Sequence, residues 1–285
     1  MAKPSETAPF PAPLSQNHRD LWVILGASSP ICQEFARMVA NRGCAVLLAG
    51  RHVEILNILA ADLRLRCPQA EIAVLKFDAN ESEDRQKLLQ NCRQWADASE
   101  ANRTHPPSDN SSKNEGSGAI HILLGFAHQE PQEEIEQQPD LAAKVISISL
   151  SAAAATVMTM LPMITEPARP SRVIIIASVS GDRGRRSNYV YGAAKAGLIA
   201  LASGLRSRLY PCGGSVVTAK LGFIDTATTW GGAKIFLAAD PKDTAAALLR
   251  ASDKKIDVLY FPKFWWVIMT IIRLIPESLF KRLPI

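Results

Sequence analysis

The chain has 285 residues, of which 47% are hydrophobic and 21% are charged, enough to bury the core of one large α/β domain or two small ones. Its formal net charge of +5 is spread along the sequence without a run of Lys and Arg interleaved with aromatic residues, which argues against a nucleic-acid partner. The five cysteines form no CxxC or Cys/His cluster, so we expect reduced thiols and neither a disulfide framework nor a metal site.

Predicted strands and helices alternate along most of the chain. Residues 1–19 are rich in proline and lack an apolar stretch of signal-peptide length, so we expect a flexible leader. Apolar runs of strand length follow at 21–25, 45–49, 71–77, 120–125, 171–178, 214–220 and 255–261. Helical segments separate them, including 30–42, 53–66 and a polar helix that reaches about Ala96. This alternation predicts right-handed βαβ units and one doubly wound parallel sheet, in a single α/β domain over residues 20–262.

Two segments depart from this alternation. Residues 97–118 are polar and rich in Ser, Asn and Pro, which predicts a disordered insertion. Residues 263–285 form an apolar C-terminal segment, whose apolar part from Phe264 to Ile275 would be roughly 18 Å long as a helix, short of the ~30 Å hydrocarbon core of a membrane. Its tryptophans and basic residues suit an interfacial membrane segment, and a helix pair packed against its own domain or a second subunit is an equally good interpretation.

The strongest chemical signal is the segment SNYVYGAAKAGL, which contains Tyr191 and Lys195. Four residues apart on a helix, these side chains share one face. A lysine ammonium beside a tyrosine favours the phenolate and should lower the tyrosine pKa, which makes a proton donor or acceptor usable near neutral pH. Ser178 ends the fifth predicted strand, at the edge of the sheet where ligands of such folds bind. We therefore expect Ser178 to hydrogen-bond a substrate oxygen.

The turn after the first strand resembles a phosphate-binding loop with fewer glycines than usual. In GASSPIC only Gly26 is a glycine, and Pro30 and Cys32 stand where a second and a third glycine would be expected. Pro30 has no N–H to offer, but its fixed φ suits the first position of a helix. The following N–H groups and the helix dipole remain available to an anion. The predicted phosphate-binding residues are therefore Gly26, Ser28, Ser29 and Ile31.

Together these motifs resemble the short-chain dehydrogenase/reductase family from about Leu21 to Phe261. The matching segments are GASSPIC at the first turn, FDAN after the third strand, ASVSG and YGAAK for catalysis, and LGFIDT after the sixth strand. The resemblance implies a Rossmann-like reductase whose catalytic residues are Ser178, Tyr191 and Lys195. Tyr191 would protonate a carbonyl oxygen that Ser178 orients. Lys195 would lower the tyrosine pKa and hold the nicotinamide ribose, so that Tyr191 and Lys195 also belong to the cofactor site.

The resemblance implies further cofactor contacts. Asp78 would contact the adenine, with a helix N-cap ahead of ESEDRQKLL as its alternative role, and Thr226 would contact the carboxamide end of the cofactor. Arg51 follows the second strand with no acidic residue in reach, which favours the 2′-phosphate of NADP(H) over the ribose hydroxyl of NAD. Ser149 stands where the family has an asparagine that supports a proton relay.

The tail and the catalytic segment are similar to those of one branch of the family, the decaprenylphosphoryl-2-keto-erythro-pentose reductases. That branch also replaces the second and third loop glycines and carries GDRGRxSNxxYGAAKAGL-type segments, which here read GDRGRRSNYVYGAAKAGL. The similarity implies a keto-sugar linked to a polyprenyl phosphate as substrate, a homo-oligomer, and a cytoplasmic protein that contacts the inner face of the membrane through residues 263–285. Two alternatives stay open: a reductase of a fatty-acyl or steroid-like ketone, and a non-catalytic scaffold that keeps the fold.

Overall fold

Seven parallel strands form one sheet in the computed structural model, which describes residues 20–101, 118–225 and 238–283. The strands are β1 (Leu21–Leu25), β2 (Ala45–Gly50), β3 (Ile72–Lys76), β4 (Ile120–Leu124), β5 (Arg172–Ser178), β6 (Ser215–Leu221) and β7 (Val258–Phe261). The helices are α1 (Pro30–Asn41), α2 (Val53–Arg66), α3 (Ser82–Ala101), α4 (Gln132–Gln137), α5 (Asp140–Ile146), α6 (Ala152–Ile164), α7 (Tyr189–Leu209), α8 (Pro241–Asp253), α9 (Phe264–Leu274) and α10 (Glu277–Phe280). The predicted parallel α/β sheet is confirmed.

The strands are arranged in the order β3-β2-β1-β4-β5-β6-β7. The order reverses between β1 and β4, which pair in register from Leu21 opposite Ile120 to Leu25 opposite Leu124. Connections that leave these two strands run to opposite faces of the sheet, so a crevice opens beyond their carboxyl ends. The fold therefore places the turns that follow β1, β4 and β5 around one concave region.

Helices cover both faces of the sheet, which explains why its strands are continuous apolar runs. On one face, α1, α2 and α8 contribute the buried side chains of Phe35, Leu56 and Leu248. On the other face, α3, α6 and α7 bury residues that include Val157 and Leu198. Because successive strand residues alternate between the two faces, each strand supplies both cores.

One predicted boundary is wrong. The polar helix α3 continues to Ala101, so residues 97–101 are helical and do not belong to the predicted insertion. The polar, charged composition of α3 suits a helix with one face toward solvent, which a composition-based boundary mistakes for a loop. The rest of that insertion, apart from Gly118, and the predicted leader 1–19 lie outside the described residues.

One helical stretch of the described chain has the length and composition of a membrane-spanning helix. It comprises the 25 residues Asp140–Ile164, which include α5, a π-helical turn (Ser147–Ser151) and α6, and its most apolar window has a mean hydropathy of 1.7. Met160 and Ile164 are completely buried in the core between this helix and the sheet. About a third of its most apolar window, 33%, is buried in this packing.

Candidate active site

A cavity of about 920 Å³ opens at the carboxyl ends of the strands. Nine of the predicted site residues line it: Gly26, Ser28, Ser29, Ile31, Arg51, Asp78, Ser178, Tyr191 and Lys195. Thr226 lies outside the described residues. The structure thus brings both predicted sets together, the loop and strand-end residues on one side and the serine, tyrosine and lysine on the other.

The turn after β1 approaches its neighbour so closely that only glycine fits at its start. Gly26 has a φ of +81°, and a Cβ atom there would lie 2.8 Å from the backbone nitrogen of Phe126. The chain then enters α1 at Pro30, with Ser29 as the N-cap residue in extended conformation. By helix geometry the N–H groups of Ile31 and Cys32 lack a partner further back in the helix, so they can donate to an anion in the cavity.

The space that a glycine in α1 would provide is provided instead by Gly125, which follows the facing strand β4. Cys32 is fully buried, and its Sγ occupies the space next to Gly125, where a Cβ atom would collide with it. Burial raises the pKa of the Cys32 thiol to about 12, so it is an inert packing group. A glycine at position 32 would leave space on α1, but the sulfur of Cys32 fills that space. The close approach of α1 and β4 therefore depends on the absence of a side chain at Gly125.

We expect Gly125→Ala to lower the free energy of unfolding by about 1–3 kcal/mol, because the added methyl group overpacks the contact with Cys32. Adding Cys32→Ala removes the sulfur and should restore most of the loss. Urea unfolding of the two single variants and the double variant measures this coupling. Additive effects of the two substitutions would show that the residues do not share this space.

The residues after β2 and β3 line the other end of the cavity. Arg51 is exposed directly after β2 and has no ion pair with any described carboxylate. Asp78 follows β3, and its carboxylate accepts a hydrogen bond from the N–H of Asn80 (3.0 Å), while its own N–H donates to Asp84 (2.9 Å). The alternative N-cap role of Asp78 is wrong, because α3 begins only at Ser82 and the Asp78 side chain closes the preceding turn instead.

Two glycines let the turn after β5 pack against α7. A Cβ atom on Gly192 would lie 2.9 Å from the carbonyl oxygen of Ser180, and one on Gly181 would lie 2.7 Å from the backbone of Lys195. This contact places Ser178 beside Tyr191 and Lys195, whose side chains share one face of α7 and line the same cavity. The Oγ of Ser178 accepts a hydrogen bond from the N–H of Ser180 (3.1 Å), which leaves the hydroxyl hydrogen of Ser178 to be donated elsewhere.

The expected lowering of the Tyr191 pKa by Lys195 is wrong for this arrangement. Burial raises the pKa of Tyr191 to about 12, and the Ser178 hydroxyl acts in the opposite direction with a smaller effect. Lys195 is 2% exposed and its Nζ donates to the carbonyl oxygen of Ile176 (2.9 Å), while burial lowers its pKa to about 8. Desolvation is therefore the main cause of both pKa shifts. Tyr191 is a neutral phenol at pH 7, which is the form that a proton donor needs.

Ser149 has a structural role at the position of the family's asparagine. It is fully buried in the π-helical turn, where its hydroxyl donates to the carbonyl oxygen of His128 (2.9 Å) and accepts from the N–H of the same residue (2.8 Å). The serine thereby ties the segment after β4 to the helix that crosses behind it. Local π-turns of this kind are frequent at functional sites.

The loop 179–188, which follows Ser178, is anchored on two sides. Asp182 is bound by Lys220 of β6 (2.5 Å) and by the hydroxyl of Tyr260 of β7 (2.7 Å). Arg183 donates to the carbonyl oxygens of Ile272 (2.5 Å) and Ile275 (2.6 Å) at the end of α9. The loop that follows the candidate catalytic serine is thus fixed to the sheet and to the C-terminal segment.

The C-terminal segment forms a wall of the cavity. Trp265 and Ile272 of α9 line it, and Trp265 packs on Val179 and against Gly222 after β6. Arg183 completes the attachment by an ion pair with Glu277 (2.8 Å) and by stacking over the Phe280 ring at 3.7 Å. Sequence reasoning missed these contacts, since the GDR tripeptide offered no sign that its arginine binds residues about 90 positions later.

The chain is similar to known proteins in both sequence and fold. The family described as short chain dehydrogenase matches residues 113–234, which include Ser178, Tyr191 and Lys195. An uncharacterized oxidoreductase of Mycobacterium tuberculosis is 29% identical over 262 residues, which cover 92% of this chain and 96% of the relative. One of Streptomyces coelicolor is 26% identical over 265 residues, with 92% and 95% covered. A solved structure, a short-chain dehydrogenase from Sphingobium yanoikuyae in complex with NADPH, has a TM-score of 0.67 at 19% identity and covers 91% of this chain and 97% of that one.

Proposed function

We propose that this chain is an oxidoreductase of the short-chain dehydrogenase/reductase type and that it reduces a ketone to a secondary alcohol with NADPH. The observation that carries the proposal is the convergence of Ser178, Tyr191 and Lys195 on one cavity with the turn after β1. A scaffold that had lost its chemistry would have no reason to keep a buried lysine and an uncharged tyrosine beside that turn. The non-catalytic alternative is therefore the weaker one.

The residues on the cavity wall fit a dinucleotide. A pyrophosphate would be held by the N–H groups at the start of α1, where Ser29 and Ile31 line the cavity. Asp78 would contact the adenine, and Lys195 and Tyr191 the nicotinamide ribose. When bound, NADPH supplies the hydride. Support for the phosphorylated form comes from Arg51, and from the similar fold of the Sphingobium yanoikuyae protein, which is in complex with NADPH.

The protein side chains supply the proton. Ser178 would donate its hydroxyl hydrogen to the ketone oxygen and orient it, since the bond from the N–H of Ser180 uses a lone pair of Oγ and leaves that hydrogen free to be donated. Tyr191 would donate its phenolic proton to the same oxygen, so that the added hydride and this proton together give the alcohol. Lys195, held at the carbonyl oxygen of Ile176, would place a positive charge near the phenolate that forms.

Titration of the purified chain with NADPH and with NADH tests the cofactor assignment. We expect NADPH to bind more tightly, and Arg51→Ala to weaken NADPH about 10- to 100-fold with little effect on NADH, because only NADPH carries the 2′-phosphate that the guanidinium would bind. Arg93→Ala, which removes an exposed arginine on α3, is the matched control. Equal loss of both cofactors in the Arg51 variant would contradict the assignment, and failure of the native chain to bind either would favour the scaffold.

We further propose that the substrate is a keto-sugar carried on a polyprenyl phosphate, and that α9 contacts the cytoplasmic face of a membrane. Apolar side chains of α9 that point away from the cavity are exposed: Trp266 at 58%, Val267 at 50%, Ile271 at 59% and Leu274 at 76%. Basic residues accompany them at Lys263, Arg273, Lys281 and Arg282. An apolar face with basic neighbours suits an anionic lipid surface. In this proposal residues 20–262 are the reductase domain and the segment from 263 joins its cavity to the membrane.

Flotation with vesicles that contain anionic lipid tests the membrane contact. We expect the native chain to float and the double variant Trp266→Glu/Ile271→Glu to remain at the bottom of the gradient, because two charges enter the apolar face. Ile58→Glu, which alters an apolar side chain of α2 that is 72% exposed, is the control and should float like the native chain. Equal flotation of all variants would assign the face of α9 to the alternative, a second subunit of a homo-oligomeric reductase of another ketone.

A further inference from the structure

A buried ion pair lies close to the turn that follows Ser178 and takes no part in the chemistry described above. The Nζ of Lys220 donates to one carboxylate oxygen of Asp182 (2.5 Å), and only 9% and 3% of these two side chains are exposed. The hydroxyl of Tyr260 donates to the other oxygen of Asp182 (2.7 Å) and accepts a hydrogen bond from Lys220 (3.1 Å). The three side chains therefore form a closed ring of hydrogen bonds.

The sheet fixes the places of the two residues that bind this carboxylate. Lys220 of β6 and Tyr260 of β7 are paired directly with each other. The residues on either side of Lys220, Ala219 and Leu221, pack in the core beneath α1 and α8. Because successive strand residues point to opposite faces, Lys220 and Tyr260 project from the other face, which α7 covers. Two rigid strands therefore present a cation and a phenol beside the strand that ends at Ser178.

Asp182 ends the single helical turn that begins at Ser178. The turn comprises residues 179–181, with Ser178 as the residue that caps its start and Asp182 as the residue that caps its end. The Oγ of Ser178 accepts a hydrogen bond from the N–H of Ser180 (3.1 Å), and the N–H of Asp182 donates to the carbonyl oxygen of Val179 (3.2 Å). A displacement of Asp182 therefore reaches Ser178 through one hydrogen-bonded turn.

Stability alone does not explain a buried ion pair at this place. Withdrawing an ammonium and a carboxylate from water costs about as much free energy as their attraction contributes, so an apolar pair of similar volume would stabilise the fold equally well. Charge-assisted hydrogen bonds differ from apolar contacts because they need a defined distance and direction. Burial and the neighbouring Asp182 raise the pKa of Tyr260, so its hydroxyl keeps the proton that it donates to that carboxylate.

We propose that Lys220 and Tyr260 are positioning residues of the reductase, which act through Asp182 to hold the Ser178 hydroxyl beside the Tyr191 phenol. None of the three members of the ring is among the described residues that line the cavity, so they affect the reaction only through the turn. The inference rests on the proposed reductase function and adds residues on which the rate of the reduction step depends. The contacts proposed for the cofactor at the turn after β1 do not involve them.

The double variant Asp182→Asn/Lys220→Met tests the proposal, because it removes both charges at nearly constant volume and leaves neither charge buried alone. We expect the urea midpoint to stay near that of the native chain. The single-turnover rate with cyclohexanone as probe ketone, measured by stopped flow on the full chain saturated with NADPH, should fall about 10- to 100-fold. The affinity for NADPH should stay within about twofold, since the ring does not touch the proposed cofactor contacts.

The matched control removes an ion pair elsewhere in the fold. Arg42 and Asp253 pair at 2.9 Å between the ends of α1 and α8, and neither lines the cavity. Arg42→Met/Asp253→Asn should therefore keep the native rate. Tyr260→Phe removes one of the two groups that bind Asp182 and keeps the ion pair, so it should lower the rate several-fold, and it replaces the double variant in the comparison if that variant does not fold.

Fluorine NMR gives a second readout that needs no substrate. With 3-fluorotyrosine in place of tyrosine, the chain has one signal for each of its four tyrosines, and Tyr→Phe variants assign them. In the double variant we expect the Tyr191 signal to shift, because the Ser178 hydroxyl moves relative to the phenol. The signal of Tyr210, which is 80% exposed, should stay in place.

The outcomes separate a positioning role from a purely structural one. An unchanged Tyr191 signal in the folded variant would overturn the proposal, and so would a native reduction rate. A rate that falls only in proportion to the unfolded fraction would also overturn it, because the ring would then act on stability alone. A native chain that binds NADPH but reduces no ketone contradicts the proposed function instead, and the Tyr191 signal then decides the positioning role without a measured rate.

Discussion

Replacing Tyr191 with phenylalanine is expected to lower kcat for ketone reduction by about 10²–10⁴-fold, the usual contribution of a general acid. The ring still fills its place on α7, so NADPH affinity and the midpoint of thermal unfolding should change little. Stopped-flow oxidation of bound NADPH in the presence of a ketone measures the reduction step directly. Native turnover by the variant would remove Tyr191 from the mechanism.

Tyr189→Phe is the matched control for this experiment. Tyr189 lies two residues earlier on α7, is 45% exposed, and its hydroxyl donates to Glu136 (3.1 Å) at the protein surface. Its loss should leave kcat within about twofold, because an exposed hydrogen bond contributes little. The comparison separates removal of a phenolic hydroxyl in general from removal of the one in the cavity.

The pH dependence of kcat/KM separates the tyrosine from the lysine. Tyr191 keeps its proton up to a pKa of about 12, whereas the lowered pKa of Lys195, about 8, means that its charge is present below that pH and is lost above it. The native kcat/KM should therefore fall as the pH rises above 8. The residual activity of Tyr191→Phe should show the same fall, and a fall that persists in Lys195→Met would show that another group causes it.

Gly192→Ala is expected to lower kcat by about 10- to 100-fold, although the added methyl group never touches a substrate. A Cβ atom at this position would lie 2.9 Å from the carbonyl oxygen of Ser180, so the turn after β5 must move away from α7. The distance between the Ser178 hydroxyl and the Tyr191 phenol changes with it, and misplacement of catalytic groups by about 1 Å costs that much rate. Steady-state kinetics with NADPH at saturation measures the effect.

Gly204 provides the control on the same helix. It also lies within α7, but no atom approaches within 4 Å of where its Cβ would be. Gly204→Ala should therefore keep the native kcat and raise the free energy of unfolding by up to about 1 kcal/mol, since alanine favours the helical backbone. A Gly192→Ala variant with native kcat would show that the turn tolerates the displacement.

The parts of the fold that could be predicted were those that a local pattern encodes. The strand β1 was predicted with its observed bounds because five consecutive apolar residues, buried on both faces, can hardly be anything else between a polar leader and a glycine turn. Tyr191 and Lys195 were found because the helical repeat alone places them on one face. The end of α3 was missed because a polar helix and a polar loop have the same composition.

The parts that could not be predicted depend on contacts between distant segments. The sequence shows that Cys32 stands where a glycine is usual, but not that Gly125, some 90 residues later, provides the missing space. It also shows an apolar tail, but not that Trp265 faces the cavity while Trp266 faces outward. The pKa of Tyr191 was predicted in the wrong direction because the sequence shows the neighbouring charge and hides the extent of burial.

The contacts of Arg183 link the position of α9 to the conformation of loop 179–188, which follows Ser178. If binding of a ligand in the cavity depends on the arrangement of that loop, a surface that binds the outer face of α9 changes the affinity for the ligand. The ligand then changes the affinity for that surface by the same factor. Ligand binding in the cavity and surface binding at the outer face of α9 are therefore thermodynamically linked. Occupancy at either site can be measured as a change in affinity at the other.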